Sequence, residues 1–80
     1  MYPNPFDSQV RVAVNWKQKG EMAIALLDIN GQKVMDIFSG YFESGVVLSD
    51  WINTSSLTKG IYIIQLVSAK EIQQLKVLKM

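Results

Sequence analysis

The sequence predicts an all-β chain: an immunoglobulin-like antiparallel β-sandwich of about seven short strands. Three observations carry that prediction. Val10, Val12, Val14 and Trp16 alternate with Gln9, Arg11, Ala13 and Asn15, the period of a half-buried strand. Ile61 to Val67 is rich in β-branched and aromatic residues, with Tyr62, Ile64 and Leu66 on one face, as a pleated, packed strand requires. Turn-forming residues recur about every eight to twelve positions, and no segment sustains a helical period.

The elements follow in order. Tyr2 to Ser8 is an extended lead-in, because Pro3 and Pro5 flank Asn4. Each proline fixes its own φ and biases the preceding residue away from helix. Neither can donate a ladder hydrogen bond, so this segment is not a central strand. After the Val10–Trp16 strand, Lys17-Gln18-Lys19-Gly20 is a polar turn. Glu21 to Ile29 places Met22, Ile24 and Leu26 on one face and Ala23, Ala25 and Leu27 on the other. That is a strand covered on both sides or central in its sheet. Ala, Leu and Met also favour helix, but Asn30-Gly31 follows directly and marks a hairpin.

Gln32 to Phe38 is the return strand, with Val34 and either Ile37 or Phe38 inward. The alternation breaks at Met35-Asp36, which predicts a bulge or a shifted register. Gly40 and Gly45 bracket Tyr41-Phe42-Glu43-Ser44, a short strand or a turn-rich connection, and Val46 to Ile52 is an extended run carrying Trp51. Asn53 to Gly60 is a polar loop with one apolar anchor, Leu57. Beyond the Ile61–Val67 strand, Ser68-Ala69-Lys70 turns the chain. Ile72 to Leu78 closes it, with Leu75 and Val77 on one face and Lys76 on the other.

Composition limits the function classes. Eighty residues make one domain, 1–80, and 49% of them are apolar, so a core is affordable although small domains are marginal in stability. There is no cysteine and no histidine. Disulfides, thiol nucleophiles and imidazole–zinc sites are therefore excluded. A net charge of +1, from eight Lys plus Arg against seven Asp plus Glu, gives no electrostatic case for nucleic acid. No apolar run approaches the roughly 20 residues of a spanning helix. Met1 runs straight into Tyr2-Pro3 without a basic or apolar leader, which fits either a fragment whose leader lies upstream or a cytoplasmic protein.

Catalytic constellations are thin. No two of the carboxylates Asp7, Glu21, Asp28, Asp36, Glu43, Asp50 and Glu71 are adjacent in sequence, and an acid/base site would need two of them facing one cleft. The chain is thus expected not to be an enzyme, and no cofactor is implied. Asp28-Ile29-Asn30-Gly31 has the opening of a calcium loop but lacks its later ligands; a turn capped by Asp and Asn is the better account. Trp16 shares a face with three valines and is expected in the core. For Trp51, core and a sugar-stacking surface with Tyr41, Phe42 and other aromatics both stay open. Tyr62, just after Gly60-Ile61, is expected to bury its ring and return its hydroxyl to nearby backbone. Asn53-Thr54-Ser55 matches a glycosylation sequon and is assigned no function.

Four blocks carry a resemblance. Tyr2-Pro3-Asn4-Pro5-Phe6 opens the chain, Ala25 to Val34 contains Asp28 and Gly31, Ser56 to Tyr62 contains Leu57, Gly60 and Tyr62, and Gln74 to Lys79 ends it with Lys76 and Lys79. In this order they span nearly the whole length, and the chain resembles the type A C-terminal sorting domains of proteins exported by the type IX, or Por, secretion system. Met80 trails the family's usual basic finish by one residue. The resemblance implies that Pro3, Asn4, Pro5, Asp28, Gly31, Leu57, Gly60, Tyr62, Lys76 and Lys79 make up the signal. It implies that cargo crosses the inner membrane by its own signal, folds in the periplasm, and presents this domain to the outer-membrane translocon on its way to the surface or medium. A sortase-like transpeptidase then typically cuts before the domain, with attachment of the cargo to anionic lipopolysaccharide as one outcome.

The terminal strand, bearing Lys76 and Lys79, is expected at a sheet edge, where it invites strand addition by a receptor or pairing into a homodimer. Both lysines are expected to be exposed, and their charge to discourage random pairing. The competing class is a small Ig-like accessory module of a secreted enzyme that binds carbohydrate or protein, which an exposed aromatic row would favour. A structural domain similar to those of flagellar hook-capping proteins shares the Asp28–Gly31 block.

Overall fold

The computed structural model describes residues 8–17, 19–49 and 51–80. The Pro3-Asn4-Pro5 block, and with it most of the expected extended lead-in, lies outside the described residues. The described chain holds eight strands: β1 (Gln9–Val10), β2 (Ala13–Trp16), β3 (Gly20–Leu27), β4 (Lys33–Phe42), β5 (Gly45–Leu48), β6 (Ile52–Asn53), β7 (Gly60–Ser68) and β8 (Ile72–Lys79). All pairings are antiparallel. The expected all-β class is the observed one.

One sheet has the order β4-β3-β7-β8. Strand β3 lies inside it with a ladder on either side, which satisfies its backbone despite its Ala, Leu and Met content; Met22, Ile24 and Leu26 face the core, while Ala23 on the other face is exposed. Opposite, β1 pairs with β6 and β2 with β5. Because β1 and β2 are successive pieces of one chain stretch, and β5 and β6 of another, the two pairs form a single interrupted ribbon. Val10, Val12, Val14 and Trp16 from the ribbon share one buried cluster with Met22, Ile24 and Leu26 of β3 and Tyr62, Ile64 and Leu66 of β7. This packing is compatible with the expected sandwich. Each large apolar side chain so buried contributes about 1.5–3 kcal/mol.

The expected single strand from Val10 to Trp16 keeps its inward face but breaks at Arg11–Val12. The cause is an extra residue on the facing stretch. Val10 opposes Ile52 and Ala13 opposes Leu48, so 10 to 13 on one side is matched by 48 to 52 on the other. Ser49 bridges the mismatch. The Val12 N–H donates to Ser49 Oγ at 2.9 Å, and the Ser49 N–H donates to the Val12 carbonyl at 2.9 Å. A side-chain hydroxyl thus replaces one rung of the ladder.

The β3–β4 hairpin turns where expected. The Gly31 N–H donates to the Asp28 carbonyl at 3.0 Å, and the Asp28 N–H donates to the Gln32 carbonyl at 2.8 Å. Gly31 has φ of +87°, and among the described residues no non-glycine residue has a positive φ. The turn is therefore the three-residue form ending in a left-handed glycine, not the two-residue Asn-Gly form that needs positive φ at both positions.

The bulge expected near Met35-Asp36 is present. Ile24 opposes Phe38 while Ala25 opposes Asp36, and a second shift lies between Leu26 and Leu27. The residues skipped by these shifts are Ile37 and Val34. Ile37 is buried, but Val34 is exposed, which corrects its expected inward placement: two shifts in one strand defeat any simple alternation. The Tyr41-Phe42 segment is the far end of β4, because β3 supplies partners as far as Gly20, opposite Phe42.

Candidate functional site

Tyr62 organises the corner where the loop from β6 enters β7. Its ring is buried in the core. Its hydroxyl donates to the Thr58 carbonyl at 2.8 Å and lies 3.3 Å from Thr58 Oγ1. That bond ties the strand to the loop four residues back, as expected of a tyrosine at such a corner. Leu57 is half-buried and packs against the same core. Gly60 sits between them at φ +147°, a conformation that side-chain-bearing residues rarely adopt.

The Asp28 loop is built by its own side chain. Asp28 Oδ1 accepts from the Asn30 and Gln32 N–H groups, each at 2.9 Å. The carboxylate therefore caps the turn, in keeping with the turn account over the calcium-loop one. Folding brings this loop against the Tyr62 corner: Asp28, Ile29 and Thr58 through Tyr62 line one open cleft of about 450 Å³. The end of β8 reaches the same place, since Lys79 opposes Gly60 and Leu78 opposes Ile61. Three of the four sequence blocks thus converge on one end of the four-stranded sheet. Ile29, Ile61 and Leu78 are exposed there, which gives that end an apolar character.

The two lysines of β8 differ. Lys76 is exposed and lies opposite Ile63. Lys79 is only 6% exposed and its Nζ donates to the Met80 carbonyl at 3.1 Å. The expectation of two exposed lysines is corrected for Lys79. It shares the inward parity of Val77, so its methylene stem lies along apolar surface while the ammonium meets backbone oxygen.

The family model of the secretion system C-terminal sorting domain matches residues 1–80, the whole chain. The chain belongs to this family. No curated protein and no solved structure matches the chain. The sorting domain is a C-terminal signal for type IX secretion. It is carried by a cargo domain, engages the secretion machinery, and directs passage to the cell surface or beyond. The family is one of sorting signals and not of enzymes.

Among the described residues, the aromatic side chains of the sorting domain do not form a row. Trp16 and Tyr62 are in the core, and Phe42 is half-buried, edge-on to Phe38 with ring centroids 5.4 Å apart. Tyr41 and Trp51 are exposed but stand on different sheets, Tyr41 on β4 and Trp51 between β5 and β6. Sequence reasoning missed Ser49, whose burial and two hydrogen bonds with Val12 hold the ribbon together. Its only sequence signal is a small polar residue within an apolar run. The meeting of the Asp28 loop with the Gly60 corner was also invisible, because about thirty residues separate them.

Proposed function

We propose that residues 1–80 act as one unit that is presented, after the cargo has folded in the periplasm, to the outer-membrane translocon. The signal comprises Pro3, Asn4, Pro5, Asp28, Gly31, Leu57, Gly60, Tyr62, Lys76 and Lys79. The observation that carries this reading is the convergence of three blocks on one end of the sheet: the Asp28 loop and the Gly60–Tyr62 corner line one cleft, and the end of β8 pairs alongside that corner. A receptor that serves unrelated cargoes must read features belonging to the domain alone, and such a cleft is one. Within it the roles divide. Leu57, Gly60 and Tyr62 shape the corner, Gly31 and Asp28 shape the hairpin loop, and the translocon contacts the exposed rim of Ile29, Lys59 and Ile61. A sortase-like transpeptidase then cuts upstream of the domain and exchanges it for a surface anchor.

The stretch Ile72–Lys76 stands at the end of the described strand order. We place pairing with a second copy, forming a homodimer, along this stretch. Fusing the chain behind a periplasm-targeted reporter tests the main reading. In a host with a type IX system the reporter should reach the surface or medium. Removing Gln74 to Met80 should leave it in the periplasm, because the deletion removes Val77 from the core and most of the β7–β8 ladder. A reporter retained with the whole domain present, or exported after the deletion, overturns the reading.

A further inference from the structure

The ribbon bulge does more than interrupt β5 and β6. Val47 packs against the core and Ser49 is buried. Strict alternation would send Trp51 inward after them. Instead Ile52 packs inward and Thr54 is buried, so the phase has slipped by one residue and Trp51 is 60% exposed. Bulges commonly re-aim a side chain in this way. The expelled indole is then held. The Arg11 guanidinium carbon lies 5.6 Å from its ring centroid, a cation–π distance. Arg11 is itself fixed, because its Nε donates to the Ser49 carbonyl at 3.0 Å. The same bulge therefore expels the ring and anchors the cation that braces it. Beside Trp51 lies an open cleft of about 290 Å³ whose other walls are Ser8, Gln9, Asn53 and Ser55. Asn53 is held in place, its Oδ1 accepting from the Ser55 N–H and Oγ at 2.9 and 2.7 Å.

We infer that Trp51 and Arg11 form a second contact point of the sorting domain, for a polypeptide surface of the secretion machinery that presents a carboxylate beside an apolar side chain. The inference rests on the sorting reading above. Trp and Arg are the side chains most enriched among residues that dominate protein interfaces, and a pre-fixed ring loses little entropy on binding. Arg11 uses Nε internally, and among the described residues no acceptor takes its terminal guanidinium nitrogens, whose planar geometry a carboxylate matches. The ring of amide and hydroxyl side chains around a rigid aromatic anchor is the composition of surfaces that bind protein. The loop from β6 to β7 gives Ser55 to this cleft and Thr58 and Lys59 to the cleft at the sheet end, so one loop borders both.

The test uses the whole chain fused to the periplasm-targeted reporter, with Trp51→Ala, Arg11→Gln and, as a control on another exposed apolar side chain, Val46→Ala. Arg11→Gln keeps an N–H donor for the Ser49 carbonyl while removing the charge. Thermal unfolding by circular dichroism checks that each variant is folded. Export by folded Trp51→Ala and Arg11→Gln should fall by roughly tenfold or more, the scale of losing a dominant contact, while Val46→Ala matches the parent. If Trp51→Ala does not fold, Arg11→Gln carries the test alone. Parent-level export by the folded variants overturns the inference and leaves the sorting reading standing. A parent that is not exported overturns both. Tryptophan quenching on titration with a polygalacturonate oligosaccharide, lost in Trp51→Ala, overturns the polypeptide assignment in favour of a glycan.

Discussion

Gly60 and Lys79 face each other across the β7–β8 ladder, so the first residue of one strand and the last of the other close the same end of the sheet. Lys79, a residue only 6% exposed, thereby stands beside the corner that Tyr62 braces. Lys76, three residues earlier, points away from the core.

The two lysines should therefore respond differently to truncation. Lys76→Ala is expected to leave stability within about 0.5 kcal/mol, as for most exposed positions. Lys79→Ala removes a buried stem and should cost between about 0.5 and 3 kcal/mol. Urea denaturation of the two variants decides it, and equal losses would mean that the inward placement of Lys79 has no energetic consequence.

Tyr62 offers a graded test. Tyr62→Ala should cost about 3–5 kcal/mol, the usual loss for a large buried ring. A domain of this size without disulfides holds only about 3–5 kcal/mol in total, so much of the population should unfold. Tyr62→Phe keeps the ring and loses the bond to Thr58, with an expected cost of about 0.5–1.5 kcal/mol. Chemical denaturation in which the phenylalanine variant falls as far as the alanine variant would place the anchor in the hydroxyl and not in the ring.

Ser49→Ala should strand the buried Val12 N–H, at a cost of about 1–3 kcal/mol. Faster hydrogen exchange at Val12 than at Val14 would accompany it. Unchanged exchange at Val12 would contradict the bridging role of the Ser49 hydroxyl.

A Cβ at Gly60 would meet open space, yet the backbone there has φ of +147°. Gly60→Ala is thus expected to destabilise by strain alone, about 1–3 kcal/mol, visible as a lower melting temperature. A melting temperature at or above the parent's would show that the corner relaxes without cost.

If the Ile72–Lys76 stretch pairs with a second copy, light scattering should show a mass rising with concentration toward twice the 9.0 kDa chain. Lys76→Pro, which removes a backbone donor and stiffens the strand, should abolish the rise. A monomer at millimolar concentration would exclude the homodimer.

The sequence alone determined the strand content, the buried faces of β7 and of the Val10–Trp16 stretch, and the Asp28–Gly31 hairpin. These follow from period-two patterning and turn chemistry, both of which act over a few neighbouring residues. It also determined the anchoring role of Tyr62, because Gly60 and Tyr62 stand close enough along the chain for the corner to be local. Only the tertiary structure decided where Val34, Trp51 and Lys79 point. Val34 and Trp51 lie at register shifts, where one extra residue exchanges the two faces of a strand, and that extra residue exists only relative to a partner far along the chain. Lys79 turned inward because strand parity fixes direction regardless of charge, and a long apolar stem with backbone oxygen at its tip makes that direction tolerable. The convergence of the Asp28 loop on the Gly60 corner likewise arose from β3 and β7 lying side by side, a pairing set by the packing of Ile24, Leu26, Ile64 and Leu66 in one core and by nothing local to either loop.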